Sequence, residues 1–161
     1  MPKIIFSGVN TYIEQLKRLG MAVEDTAKEA VYNGAGVIAD EVRVSLAKIQ
    51  TDETWGTDNS LKQGIMHKQK EGLLNSLGIS PISYDGDFLN AKIGFAGYNN
   101  FKTDIYPNGQ PNQMVANSAE SGTSFMVKTP FFASAVRRAK PMAEKKMKEV
   151  FENKISKNVK E

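Results

Sequence analysis

The chain has 161 residues, with 21 Lys and Arg against 18 Asp and Glu, one histidine and no cysteine. The length predicts a single domain over 1–161 that buries about two-thirds of the surface its unfolded chain exposes. Disulfides, thiolate metal sites and cysteine nucleophiles are excluded, and a serine triad would depend wholly on His67. The opening Lys3-Ile4-Ile5-Phe6 run is too short for a signal peptide. No apolar stretch approaches the ~18 residues of a membrane span. The expectation is a soluble protein, made and kept in a reducing cytoplasm, with no membrane partner.

The net charge of +3 conceals an asymmetry. Residues 1–125 carry 11 basic and 14 acidic side chains, whereas residues 126–161 carry 10 and 4. A basic end on a mildly acidic body fits nucleic acid, an acidic partner surface, or simple solvation of a helix face.

In chain order, Lys3–Phe6 reads as a short strand closed by Gly8. Thr11 and Glu14 have capping-box spacing, which predicts a helix over 11–19 that stops at Gly20. Ala27, Val31, Ala35, Ile38, Val42, Leu46 and Ile49 keep one apolar stripe along a second, longer helix. Gly34 and Gly36 within it are either points of close approach or weak spots. From 50 to 72 the periodicity disappears, predicting a mobile loop over about 51–70 on which Trp55 serves as an anchor. Alternation over 77–84 and 88–95 around Asp85-Gly86-Asp87 predicts a hairpin, with Pro81 at an edge or bulge. A second mobile loop is expected at about 97–112, then a third strand over 113–119. A final helix should run from Pro130 or Phe131 to about Ile155, with Pro130 in its first turn, a kink or split at Pro141 and a frayed tail over 156–161. The fold class is therefore α+β: an N-terminal helix pair, a central antiparallel sheet and a C-terminal helix packed on it.

No catalytic signature is present. Nucleotide-binding glycine motifs and the zinc-protease motif are absent, His67 has Lys68 and Lys70 beside it and reads as a solvated loop histidine, and Asp85 and Asp87 read as turn formers. No catalytic, cofactor-binding or metal residue is assigned, and the chain is expected not to be an enzyme. A hydrolase acting through His67 is the weakest of the alternatives.

Three ordered segments resemble a family. Glu71-Gly72-Leu73-Leu74-Asn75-Ser76-Leu77, then Ala91-Lys92-Ile93-Gly94-Phe95, then Ala116-Asn117-Ser118-Ala119-Glu120-Ser121-Gly122-Thr123 with Pro130-Phe131-Phe132-Ala133-Ser134-Ala135, resemble motifs of the tail-completion, or head–tail joining, proteins of long-tailed double-stranded-DNA phages and prophages. Val115 stands where the family usually has tyrosine. The resemblance implies a virion structural protein of the neck, synthesised in the bacterial cytoplasm. It would assemble in a ring-like manner with copies of itself and with neighbouring neck and tail proteins, and touch channel DNA weakly if at all. Whether the free chain is a monomer stays open.

Within that frame Gly72 and Gly122 are expected at tight turns flanking the sheet, alongside Leu73, Ser76, Gly94 and Thr123 as motif residues. Glu120 should hold free backbone N–H groups in the Gly122-Thr123 turn, or a neighbour's arginine. Pro130, Phe131 and Phe132 should dock the last helix. Trp55, Tyr98, Phe101 and Tyr106 are candidate interface residues on the two loops. The alternative function is nucleic-acid binding through the basic final helix, with Arg137, Arg138, Lys145 and Lys146 facing phosphates.

Overall fold

The computed structural model describes residues 9–20 and 22–159, so the expected strand at Lys3–Phe6 lies outside the described residues. The described chain runs α1 (Val9–Arg18), α2 (Val23–Ala47), α3 (His67–Ser76), β1 (Leu77–Ile79), β2 (Ser83–Asp85), β3 (Phe88–Asn90), β4 (Ile93–Phe95), α4 (Asn112–Ser121) and α5 (Phe132–Val159). The fold is α+β, as its residue pattern implies.

The two long helices form the spine. On α2, Ala35, Ile38, Val42 and Leu46 of the apolar stripe are buried. On α5, Ala135, Ala139 and Ala143 recur every fourth residue and are buried too, so small side chains let the axes approach. The pair is antiparallel: Arg138 near the start of α5 bonds Glu41 and Ser45 near the end of α2. Further along, a side chain at Gly34 would collide with Met147, while one at Gly36 would meet nothing within 4 Å. Only the first of the two glycines is a point of close approach.

α1 closes the far end of the spine, where Leu16, Ala30 and Phe151 make a second apolar cluster. Tyr12 stacks on Phe151 at 5.5 Å and its hydroxyl donates to Glu152 at 3.0 Å. The helix is already formed at Val9, so Thr11 lies inside it and does not cap it. At the other terminus α5 is continuous through Pro141, against the expected split, and helical as far as Val159. Pro141 is exposed, so the carbonyl that loses its N–H partner can be hydrated instead. Pro130 precedes the helix, which begins at Phe132.

The sheet is one long hairpin broken into two ladders. β2 and β3 flank the Asp85-Gly86-Asp87 turn, with Tyr84 opposite Leu89. β1 and β4 continue it, with Leu77 opposite Phe95 and Gly78 opposite Gly94. Pro81 lies at the break, where the Ser80 and Lys92 backbones still bond but regular pairing stops. The third strand expected over 113–119 is instead α4. Val115, Ala116 and Ala119 are the buried residues of that stretch, a helical spacing set among good helix formers. The loop expected over 51–70 likewise ends early, because α3 begins at His67.

Candidate functional site

The junction between α4 and α5 gathers the residues of the third motif. Gly122 ends α4 at φ +75°, a left-handed turn that admits glycine most readily. Thr123 and Met126 then exchange backbone hydrogen bonds in a tight return, and the chain reaches the first turn of α5. There the Glu120 carboxylate accepts three backbone N–H groups, from Phe131 at 2.8 Å, Phe132 at 2.9 Å and Ala133 at 3.0 Å. One side chain thus satisfies most of the free donors that open a helix, and its negative charge lies at the positive end of the helix dipole.

Partial burial pulls the Glu120 pKa up, but the three N–H donors outweigh it and the net shift is downward from 4.5. A depressed folded-state pKa means the contribution is fully present above the ordinary glutamate range and is lost as pH falls through the folded value. Glu120→Gln is therefore expected to cost about 1–2 kcal/mol at neutral pH, discounted because the carboxylate is partly solvated. The cost should shrink as pH falls through the folded-state pKa, which lies below 4.5, and urea titrations of both proteins at several pH values would measure this.

Beside this cap, Phe131 is 1% exposed and meets Phe95 of β4 edge-on at 5.9 Å, while Phe132 lies 6.5 Å from the same ring. Gly94 pairs with Gly78, Leu73 is fully buried, and the Ser76 carbonyl accepts from the Ala96 N–H to extend the ladder. Ile93, Phe95, Ala116, Glu120, Phe131 and Phe132 line a shallow apolar cleft of about 200 Å³. That is below the roughly 300–1,000 Å³ of most small-molecule pockets.

Gly72 has a role other than the expected turn. It lies mid-helix in α3, where a Cβ would come within 3.0 Å of the Asn99 Cβ and 3.1 Å of the Asn112 Oδ1. Both asparagines are buried, and neither stood out in the sequence. Asn99 Oδ1 accepts from the Phe101 and Gln110 N–H groups, and Asn112 Nδ2 donates to the Ala96 carbonyl. Together they tie the 97–112 loop to the sheet.

The other loop, over 51–66, is ordered around a buried lysine. Lys62, 4% exposed, donates to the Thr54 carbonyl at 2.7 Å, to its hydroxyl at 3.1 Å and to Asp58 at 2.7 Å. The Lys62 ammonium and the Ser60 donors hold the Asp58 carboxyl down at about 2. Trp55 is half-buried, donates to the Gly64 carbonyl at 2.9 Å and meets Phe125 edge-on, which is the anchoring role expected of it. Lys62→Met keeps the apolar stem and removes the donors, at an expected cost of about 1–3 kcal/mol. Hydrogen exchange should then accelerate across 51–66 while the α2 and α5 amides stay protected.

Of the remaining loop aromatics, Tyr98 is 68% exposed, whereas Phe101 and Tyr106 are half-buried, with the Tyr106 hydroxyl against Met114 Sδ. Ile105, not singled out in the sequence, is the most exposed apolar side chain of that loop at 81%. Among the basic residues of α5, Arg138 is engaged by α2 and Lys146 lies 4.0 Å from Glu149. Arg137 and Lys145 are exposed, with no ion pair among the described residues.

His67 stands exposed at the start of α3, its backbone N–H donating to Glu53. Among the described residues no group of three acidic or imidazole side chains is placed to hold a metal, and no helix is long and apolar enough to cross a membrane. No protein-family model, curated protein or solved structure matches the chain.

Proposed function

We propose that the chain is a phage or prophage virion protein of the head–tail joining region, acting in tail completion by assembling with copies of itself and with neighbouring neck and tail proteins. One observation carries the reading. The three segments that resemble the joining family, around residues 72–77, 91–95 and 116–135, are separated in sequence yet converge on one structural unit. Their motif residues have distinct physical duties there: Glu120 caps α5, Gly122 turns the chain, Phe131 and Phe132 lock α5 to β4, and Gly72 admits the 97–112 loop.

The function is assembly, without a chemical step. The exposed Tyr98 and Ile105 and the partly exposed Trp55–Phe125 pair offer apolar area for neighbours at the ends of two well-anchored loops. Gold labelling against this protein, on particles from the genome that carries it, is expected to mark the junction between head and tail. Labelling of the capsid face or tail tip alone, or of no particle, would contradict the reading.

A further inference from the structure

The outward faces of the two spine helices carry opposite charge. On α2, Asp25, Glu29, Tyr32, Gly36, Asp40 and Val44 are spaced 4, 3, 4, 4 and 4, which places them on one stripe. The three carboxylates are exposed and make no ion pair among the described residues, and Tyr32 and Val44 are 58% and 47% exposed. Arg43 lies on the same stripe and is exposed, with its guanidinium donating to the Leu74 carbonyl, so the stripe carries three carboxylates against one cation. On α5, Arg137, Pro141, Lys145 and Lys148 are spaced 4, 4 and 3 and form a second stripe, flanked by Lys140 and by Met142, which is 53% exposed. These four cations are exposed and likewise make no ion pair among the described residues.

We propose that copies of this chain associate head to tail, the acidic stripe of α2 on one copy seating against the basic stripe of α5 on the next. The inference names the contact surfaces for the joining reading and rests on that reading for its setting. The two stripes cannot satisfy one another within a molecule, because both turn away from the seam where α2 and α5 pack. A second copy supplies the complement to each. At 1.5 Å per residue Asp25 to Asp40 spans about 22 Å and Arg137 to Lys148 about 16 Å, so the basic stripe covers the Glu29–Asp40 part of the acidic one. The heights agree as well, since the antiparallel seam sets Glu41 level with Arg138 and Gly34 level with Met147. A neighbour displaced sideways therefore brings Asp40 towards Arg137 and Lys140, and Glu29 towards Lys148. Tyr32, Val44 and Met142 supply an apolar centre for a charged rim. A contact between two different faces is heterologous, so it propagates into a ring or a filament instead of stopping at a dimer.

The charge pattern favours a protein over DNA as the occupant. The cations of α5 share their helix with Glu144, Glu149 and Glu152, and their acidic counterpart is resident in the same chain.

Sedimentation of the full chain at low ionic strength, and again at about 0.5 M salt where screening reaches within a few ångströms, tests the contact. Three proteins are compared: wild type, an Asp25→Asn, Glu29→Gln, Asp40→Asn variant, and an Arg137→Gln, Lys140→Gln, Lys145→Gln, Lys148→Gln variant. All changes are on exposed positions, and circular dichroism verifies the folds. Wild type is expected to form oligomers that dissociate in salt. Each variant alone should associate at least about tenfold more weakly. An equimolar mixture of the two should stop at a dimer, because one intact face remains on each. A wild-type protein that stays monomeric, oligomers indifferent to salt, or variants that assemble like wild type would overturn the proposal. So would loss of DNA retention by the α5 variant with its assembly intact, which would return the basic stripe to nucleic acid. Variants that assemble normally and still support joined particles would remove this contact while leaving the joining reading in place. Wild-type protein absent from the neck would remove the joining reading whatever the sedimentation shows.

Discussion

Phe131→Ala is expected to destabilise the protein by about 3–5 kcal/mol, lowering its melting temperature by on the order of 10 °C. Phe131 is among the largest fully buried side chains and fills the corner between the start of α5, the end of α4 and strand β4. Its ring lies edge-on to Phe95 at 5.9 Å and to Phe132 at 6.4 Å, and its own N–H is held by Glu120. Truncation removes apolar burial and aromatic contacts together, and the carboxylate cap limits how far α5 can move to fill the space. Phe132→Ala, at a half-buried position, should cost clearly less. Urea denaturation of both variants checks the order. Equal costs would mean that the docking corner is not where the structure places it.

Gly109→Ala is expected to cost about 2–5 kcal/mol for a different reason. Gly109 has φ +101° and packs against the Asn99 backbone so closely that an added Cβ would overlap the Asn99 carbonyl oxygen. A flexible side chain can be displaced by such a group, but a carbonyl fixed by the buried Asn99–Gln110 pairing cannot be. Gly97→Ala separates the two contributions. Its φ is +69° and a Cβ there would meet nothing within 4 Å, so only the backbone strain of about 1 kcal/mol remains. Thermal melts of the two alanine variants should therefore differ by several degrees. Similar melts would show that the loop gives way and that Asn99 does not anchor it.

The parts of the fold readable from sequence are those governed by local periodicity. The apolar stripe of α2, the Asp-Gly hairpin and the alanine-rich face of α5 need only residue spacing to be recognised. The residues of α4 read as a strand because Gln113–Ala119 is short and supports either period, and its helix is selected by packing on α3 and β4, which spacing does not reveal. α3 was hidden for a related reason: its first turns are His67-Lys68-Gln69-Lys70, polar on every side, and only Leu73 is buried.

At the candidate site, Glu120, Phe131 and Phe132 are identifiable through the motif resemblance, and a free carboxylate near a turn suggests backbone donors, though within the Gly122-Thr123 turn and not where they are found. That those donors belong to α5 follows only from the three-dimensional return of the chain at Gly122. Lys62, Asn99 and Asn112 left no sequence signal. A lysine or asparagine in a polar loop looks solvated unless its partners are known, and here the partners lie between 2 and 16 residues away. The buried polar groups that order both loops were thus invisible, and both loops looked structureless from composition alone.

The most direct test of the joining function is a stop codon early in this gene, in the phage or prophage genome that carries it, followed by induction and electron microscopy of the lysate. DNA-filled heads beside unattached or malformed tails are expected, with joined infectious particles restored by wild-type protein supplied in trans. Normal infectious particles in the absence of the protein would contradict the joining function outright.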